Sequence, residues 1–210
     1  MKCILWGATG QAKVVRPILE ASNHQVVAIF DNDPHVAKPF PDIPLLGGDA
    51  AFETFRSRNS EKMGFVVAIG GQRGDVRVRI AKHLEDAGFE PLSAIHSRAF
   101  VASTVSLGRG VQILAMAAVC EYAVIGDHCI VNTNASVDHE CAIGEGSHIM
   151  PSATLAGCVT LGAFATVGSN ATILPRVRIG RRAMIGAGAV VTHDVEDDVT
   201  VIGMPAKPIG

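Results

Sequence analysis

Ile113-Leu114-Ala115-Met116-Ala117-Ala118-Val119-Cys120-Glu121-Tyr122-Ala123-Val124-Ile125 carries a branched aliphatic residue at every sixth place and a small residue four places after each. The series runs outward in both directions without an insertion. From Ile95 through Val101 and Leu107, and on through Val131, Val137, Ile143, Ile149, Leu155, Leu161, Val167, Ile173, Ile179 and Ile185 to Val191, seventeen consecutive positions are Ile, Leu or Val. The small partner is Ala, Val, Cys or Ser throughout, beginning at Ala99 and Val105. Glycine follows the aliphatic residue at Gly108, Gly126, Gly144, Gly162, Gly168, Gly180 and Gly186. A period of six suits neither a helix at 3.6 nor a lone alternating strand at two. It suits one short strand and one turn per hexapeptide, with three hexapeptides closing a triangular coil. The large aliphatic then points into the prism and the small residue fits near a corner. Stacked coils pair their backbone groups with those above and below, so small side chains suffice for a continuous core.

The residues before Ile95 follow another pattern. Lys2–Trp6 is a short apolar run that leads into Gly7-Ala8-Thr9-Gly10-Gln11-Ala12-Lys13 and then a helical spacing at Val14, Val15, Ile18 and Leu19. Gln25–Phe30 and Phe65–Ile69 are further apolar runs, ending at Asp31 and at Gly70-Gly71, and Val76–Leu84 is spaced as a helix. Strands alternating with helices imply a small parallel α/β sheet. The expected organisation is a Rossmann-like α/β domain over 1–92, followed by a parallel β-helix over 93–210. Pro34–Gly48, with four prolines, is expected to be a surface loop. Glycines between strand and helix let a phosphate approach the helix N-terminus. Asp31 stands where an acidic residue meets a ribose hydroxyl in dinucleotide folds. The loop lacks the middle glycine of the full fingerprint.

Composition limits the partners. Eighteen Lys and Arg against 20 Asp and Glu leave a net charge of −2, with no basic run to serve nucleic acid or an anionic membrane. No apolar stretch approaches the length of a membrane-spanning helix. Five cysteines with no C-x-x-C pair suit a reducing cytoplasm. Cys129 and Cys141 fall at small-residue core positions, and no His/Cys/Asp pair has a recognisable metal-ligand spacing.

Chemistry concentrates in Asn132-Thr133-Asn134-Ala135-Ser136-Val137-Asp138-His139-Glu140-Cys141. His139 and Glu140 occupy places that the repeat sends outward. One coil on from His139 is Gly157, which leaves a notch on the prism beside the imidazole. A histidine next to a carboxylate can act as a general base near neutral pH. His148 lies half a coil beyond His139. His96, His128 and His193 are assigned to turns or structural hydrogen bonds.

The two halves together resemble the bacterial sialic-acid O-acetyltransferases and UDP-4-amino-sugar N-acetyltransferases of the hexapeptide-repeat superfamily. The resemblance rests on Gly7-Ala8-Thr9-Gly10-Gln11, on Asp138-His139-Glu140-Cys141-Ala142-Ile143-Gly144-Glu145 and on Ser147-His148-Ile149. It rests also on Ile185-Gly186-Ala187-Gly188-Ala189-Val190-Val191 and Gly203-Met204-Pro205-Ala206-Lys207. It implies a left-handed β-helix, a homotrimer with active sites between subunits, and an enzyme that transfers acetyl from acetyl-CoA to the amine of a nucleotide-linked 4-amino sugar in glycan biosynthesis. By the same resemblance His139 is the general base and Glu140 raises its basicity. His148 contacts acetyl-CoA from a neighbouring subunit, and Gly157, Ser169 and Ala187 line the pantetheine groove. Thr9, Gly10, Gln11, Asp31, Asn32 and Gly70 are the implied sugar-nucleotide residues, although many relatives carry histidine where this chain has Gln11. A sialic-acid hydroxyl is the alternative acceptor. The residues also admit a trimeric ligand-binding scaffold, against which the His–Glu–Gly notch argues, and a nucleotide-dependent oxidoreductase, against which the incomplete glycine loop argues.

Overall fold

The computed structural model describes residues 1–209. By their internal contacts these form two compact units, one of residues 1–69 and 79–94, the other of residues 70–78 and 95 onward.

The first unit carries β1 (Lys2–Trp6), α1 (Gly10–Ala21), β2 (Gln25–Asp31), β3 (Leu45–Gly47), α2 (Gly48–Arg58), β4 (Gly64–Val67), α3 (Gly74–Asp86) from Arg79 onward, and β5 (Glu90–Pro91). The strands form a parallel sheet in the order β3-β2-β1-β4-β5. β1 is central, and Cys3 to Trp6 are all buried, as both faces of a parallel sheet must be. Its core is aromatic: Trp6 stacks on Phe30 with ring centroids 5.5 Å apart, and Phe52 meets Trp6 at 5.6 Å. The expected loop over Pro34–Gly48 contains a strand at its end, since Leu45–Gly47 pairs with Ile29–Asp31 and leads directly into α2. Leu45 and Leu46 are half-buried and Leu46 packs against the aromatic core, but three residues are too few to show an alternating pattern.

In the second unit two-residue strands succeed one another every six residues, from Phe100–Val101 to Val190–Val191. Up to Thr172–Ile173 each pairs in parallel with the strand eighteen residues on, so Ala118, Ser136, Thr154, Thr172 and Val190 form one continuous register, and in the last coil the step shortens to sixteen, Met184 pairing with Thr200. The result is a left-handed β-helix with three faces. Its axis is filled by the aliphatic series, 0–3% exposed from Ile113 to Val191, interleaved with the small series. Each buried aliphatic contributes about 1.5–3 kcal/mol. At the first coil, which has a neighbouring coil on one side only, Ile95 remains 37% exposed. Cys129 and Cys141 are in the core, as their positions imply.

The corners turn through left-handed backbone at Gly110, Met116, Tyr122, His128, Asn134, Glu140, Gly146, Ser152, Cys158, Phe164, Asn170, Arg176, Arg182 and Gly188. The corner amides are paired as well: Cys158 N–H donates to the His139 carbonyl at 2.9 Å, and Gly188 N–H to that of Ser169 at 2.8 Å. The helix closes on Thr200–Ile202, which pairs antiparallel with Lys207–Ile209.

Residues 70–78 lie against the face that carries Ile130 and His148. Arg77, fully buried, donates from Nε to the His128 carbonyl at 2.7 Å and from Nη2 to the Gly146 and Ser147 carbonyls at 2.6 and 3.4 Å. A Cβ at Gly74 would run into the Gly146 carbonyl, so glycine is needed for the segment to sit this close. Among the described residues no helix is long and apolar enough to cross a membrane.

Candidate active site

His139 and Glu140 project from a corner between two faces of the β-helix, with side chains 52% and 61% exposed. Local bonds fix the backbone there. The His139 N–H donates to the Asp138 carboxylate at 2.7 Å, and the Glu140 N–H to the Glu121 carbonyl one coil back at 2.9 Å. His139 Nδ1 lies 3.0 Å from Glu140 Oε2. A carboxylate only accepts, so the bond requires the proton on Nδ1 and leaves the lone pair on Nε2. That nitrogen lies over Gly157, where a Cβ would come within 2.5 Å of it. Gly157 has an ordinary backbone conformation, so a side chain there would meet the imidazole alone and would have to displace it. His139, Glu140 and Gly157 are therefore brought together within one chain.

Cys158 joins them, although the sequence reading did not single it out. It stands eighteen residues after Glu140, in the same left-handed corner conformation, and its Sγ lies 3.8 Å from Glu140 Oε2. The spacing was the available signal.

Ser169 and Ala187 stack on successive coils, the first half-buried and the second exposed. They occupy a different corner from His139, one that turns at Asn170 and Gly188. Within one chain they do not meet the imidazole.

His148 is 4% exposed, on the face covered by residues 70–78. Its Nδ1 lies 3.1 Å from the Gly71 carbonyl and its Nε2 lies 3.0 Å from Asn132 Nδ2. The carbonyl requires Nδ1–H, and the amide then donates to Nε2, so the neutral ring is satisfied at both nitrogens. Burial pushes its pKa down to about 4. The stability consequence has a definite sign. Above about pH 6.5 the ring is neutral folded and unfolded, and contributes no pH dependence. From there down to about 4 the unfolded chain binds a proton that the folded chain refuses, so stability falls as pH falls, by on the order of 3 kcal/mol. Urea unfolding at pH 7 and pH 4.5 should show this loss in the parent protein and a smaller one in His148→Asn.

In the first unit the glycine loop is tied to the end of β2. Gly7 N–H donates to the Phe30 carbonyl at 2.7 Å, and Ala8 N–H donates to Asp31 Oδ2, also at 2.7 Å. Asp31 Oδ1 accepts from the Asp33 N–H at 3.0 Å. Asp31 thus orders the loop, a role the spacing argument did not include. Gly7 has φ +108°, and a Cβ there would lie 2.5 Å from the Ala68 carbonyl oxygen. The glycine permits both the turn and the approach. Thr9 caps α1 by backbone conformation alone, with no side-chain bond and no acidic residue in the first turn, so the helix N-terminus is electropositive. Thr9 and Gly10 are exposed there and Gln11 is half-buried. Asn32 lies beside Gly48, near the start of α2. Gly70 opens the 70–78 segment of the second unit.

A cavity of about 240 Å³ opens elsewhere on the β-helix, lined by Gln72, Asp75, Phe164, Met184 and the Arg182–Asp198 ion pair. It holds none of the residues that carry the proposed chemistry.

Comparison with known proteins matches both halves. Residues 2–84 fit the PglD N-terminal domain, and residues 159–193 fit the bacterial transferase hexapeptide repeat. PerB from Caulobacter crescentus, crystallised with CoA and GDP-perosamine, is 37% identical over 100% of this chain and 98% of its own, with a TM-score of 0.91. The acetyltransferase domain of PglB from Neisseria gonorrhoeae, solved with acetyl coenzyme A, is 31% identical over 99% of this chain and 98% of its own, with a TM-score of 0.87. WeeI from Acinetobacter baumannii, 24% identical over 100% of both chains, shares the fold with a TM-score of 0.88.

Proposed function

The chain belongs to the hexapeptide-repeat sugar N-acetyltransferases, and we propose that within this family it acetylates the amine of a nucleotide-linked 4-amino sugar with His139 as general base. One observation carries the assignment of the base: Glu140 holds the Nδ1 proton, which leaves the Nε2 lone pair in the notch over Gly157. The ligands in the PerB and PglB structures support the donor and the acceptor class.

In the proposed reaction both substrates bind before chemistry. The sugar amine attacks the thioester carbonyl, His139 Nε2 takes a proton from the nitrogen, and the tetrahedral intermediate collapses to the amide and the CoA thiolate, which takes the proton back from the imidazolium. Glu140 keeps the imidazole in the competent tautomer and stabilises the imidazolium. Holding amine and thioester in line supplies much of the acceleration. The N-terminus of α1, which has no side-chain cap, is suited with Thr9, Gly10 and Gln11 to the anionic part of the sugar nucleotide, with Asp31 and Asn32 of the same unit as further contacts. Ser169, Ala187 and the notch at Gly157 are assigned to pantetheine. Because Ser169 and Ala187 share no corner with His139, the complete site is assigned to the junction of two subunits in a homotrimer, and the His148 face to the acetyl-CoA side of it. With both nitrogens engaged and the ring 4% exposed, His148 acts there by holding Asn132 and the Gly71 carbonyl in place. The five cysteines are all free thiols, which supports a cytoplasmic setting.

The test is acetyl-CoA consumption across GDP-perosamine, UDP-linked 4-amino sugars and sialic acids. Turnover with a 4-amino sugar is expected. Turnover confined to sialic-acid hydroxyls would overturn the amine assignment.

Gly157→Ala probes the notch without removing a functional group. The new methyl needs the space now held by Nε2, so the ring must swing aside. A displacement near 1 Å costs about 10²-fold in rate. The expected result is a kcat loss of that order with an unchanged thermal midpoint.

A further inference from the structure

We propose that His139 Nδ1, a Glu140 carboxylate oxygen and the Cys158 sulfur form a binding site for a divalent cation of the zinc type, whose occupancy blocks proton removal by His139. The blocking half of this inference rests on the reading of His139 as base; the binding half does not.

The three ligand atoms come from adjacent coils and lie within 4.8 Å of one another. Nδ1 and Oε2 are 3.0 Å apart, and Oε2 and Sγ 3.8 Å. Ligands at ordinary Zn–N, Zn–O and Zn–S lengths in a tetrahedron stand about 3.4–3.6 Å apart. The group is therefore close to a facial three-ligand arrangement that side-chain rotation completes, with the fourth position open to solvent. An imidazole, a carboxylate and a thiolate together select zinc over magnesium or calcium, which prefer all-oxygen sites. Glu140 and Cys158 share a column of the β-helix, so the coil spacing holds them together without a dedicated loop.

Among the described residues no other cysteine stands in such a group. Cys129 and Cys141 are buried, their thiols pushed up to about 12 and about 11 by desolvation, and each sulfur faces a backbone carbonyl. Cys158 is half-buried at the surface of the notch.

Coordination acts on the tautomer. In the unliganded pair, Nδ1 carries the proton and Nε2 the lone pair. A cation on Nδ1 uses the lone pair of that nitrogen, so the remaining ring proton resides on Nε2, which can no longer accept one. Glu140 leaves the imidazole to bind the same cation, and the Cys158 thiol releases its proton to solvent as the thiolate binds. No group is oxidised or reduced, and a chelator reverses the change.

The experiment uses the reduced full-length protein with Co²⁺ and Zn²⁺ as probes. Co²⁺ should give the near-ultraviolet thiolate charge-transfer band, and calorimetry should show Zn²⁺ binding with proton release. Cys158→Ser should lose the band and weaken Zn²⁺ binding by at least about tenfold, whereas Cys120→Ser should retain both. Zn²⁺ should inhibit acetyl transfer in the parent protein, with EDTA restoring it, and Cys158→Ser should need at least about tenfold more metal. Equal Zn²⁺ affinity in the parent and Cys158→Ser, or no thiolate band, would overturn the site. Binding through Cys158 with unimpaired acetyl transfer would overturn the block. The binding measurements need no turnover, so they decide the site even if the acetyltransfer reading fails.

Discussion

His139→Ala is expected to lower kcat by about 10²–10⁴-fold, the usual worth of a general base. The substitution removes Nε2 from the notch and leaves its walls in place. The ring is half exposed and makes no core contact, so the thermal midpoint should stay near that of the parent. Substrate affinities should change much less than turnover, because the imidazole acts chiefly on the proton that leaves during reaction. Glu140→Gln is the control. Its amide oxygen still accepts from Nδ1–H and keeps the tautomer, while the negative charge is gone. The carboxylate is 61% exposed, where water screens much of its field. A smaller loss with an altered pH–rate profile is therefore expected. An unchanged kcat in His139→Ala, measured by CoA release at saturating acceptor, would remove His139 from the mechanism.

The second large effect falls on stability. Arg77→Met should cost about 3–5 kcal/mol, the range for stripping the partner from a buried charge-assisted network. Methionine keeps the length of the aliphatic stem and removes the guanidinium that ties residues 70–78 to the carbonyls of His128, Gly146 and Ser147. Desolvation pushes Arg77 down to about 10, so the group stays charged at neutral pH and all its bonds are charge-assisted. Urea unfolding gives the global figure. Hydrogen exchange should show the 70–78 amides opening first, and with them His148, which relies on the Gly71 carbonyl. A variant as stable as the parent would mean that water replaces the guanidinium without cost.

The hexapeptide series was legible because a β-helix repeats one environment. Ile113 to Val191 each meet the same axis, so the period survives every change of neighbour. His139, Glu140 and Gly157 were legible for the same reason: eighteen residues is one coil, and a residue's vertical neighbour can be counted. The same count leads from Glu140 to Cys158. Other features leave no such trace. Arg77 meets backbone carbonyls 51 to 70 residues away, and carbonyls have no sequence identity. His148 reads as an outward residue of its strand and is buried because residues 70–78 cover that face. β3 was hidden behind four prolines, since Leu45 and Leu46 are only half-buried and a three-residue strand shows no alternation.

The eighteen-residue register also makes chain length a rotational coordinate for everything beyond a change. Removing eighteen residues after Gly157 would shorten the prism by a rung and return each downstream corner to its own edge. Removing six would turn the remainder by a third of a revolution and carry the Ser169 corner onto another edge. A length change between the base and the residues assigned to the cosubstrate therefore preserves the site only as whole rungs, or as bulges that leave the winding number untouched. The spatial address of a side chain here is its residue count modulo one turn.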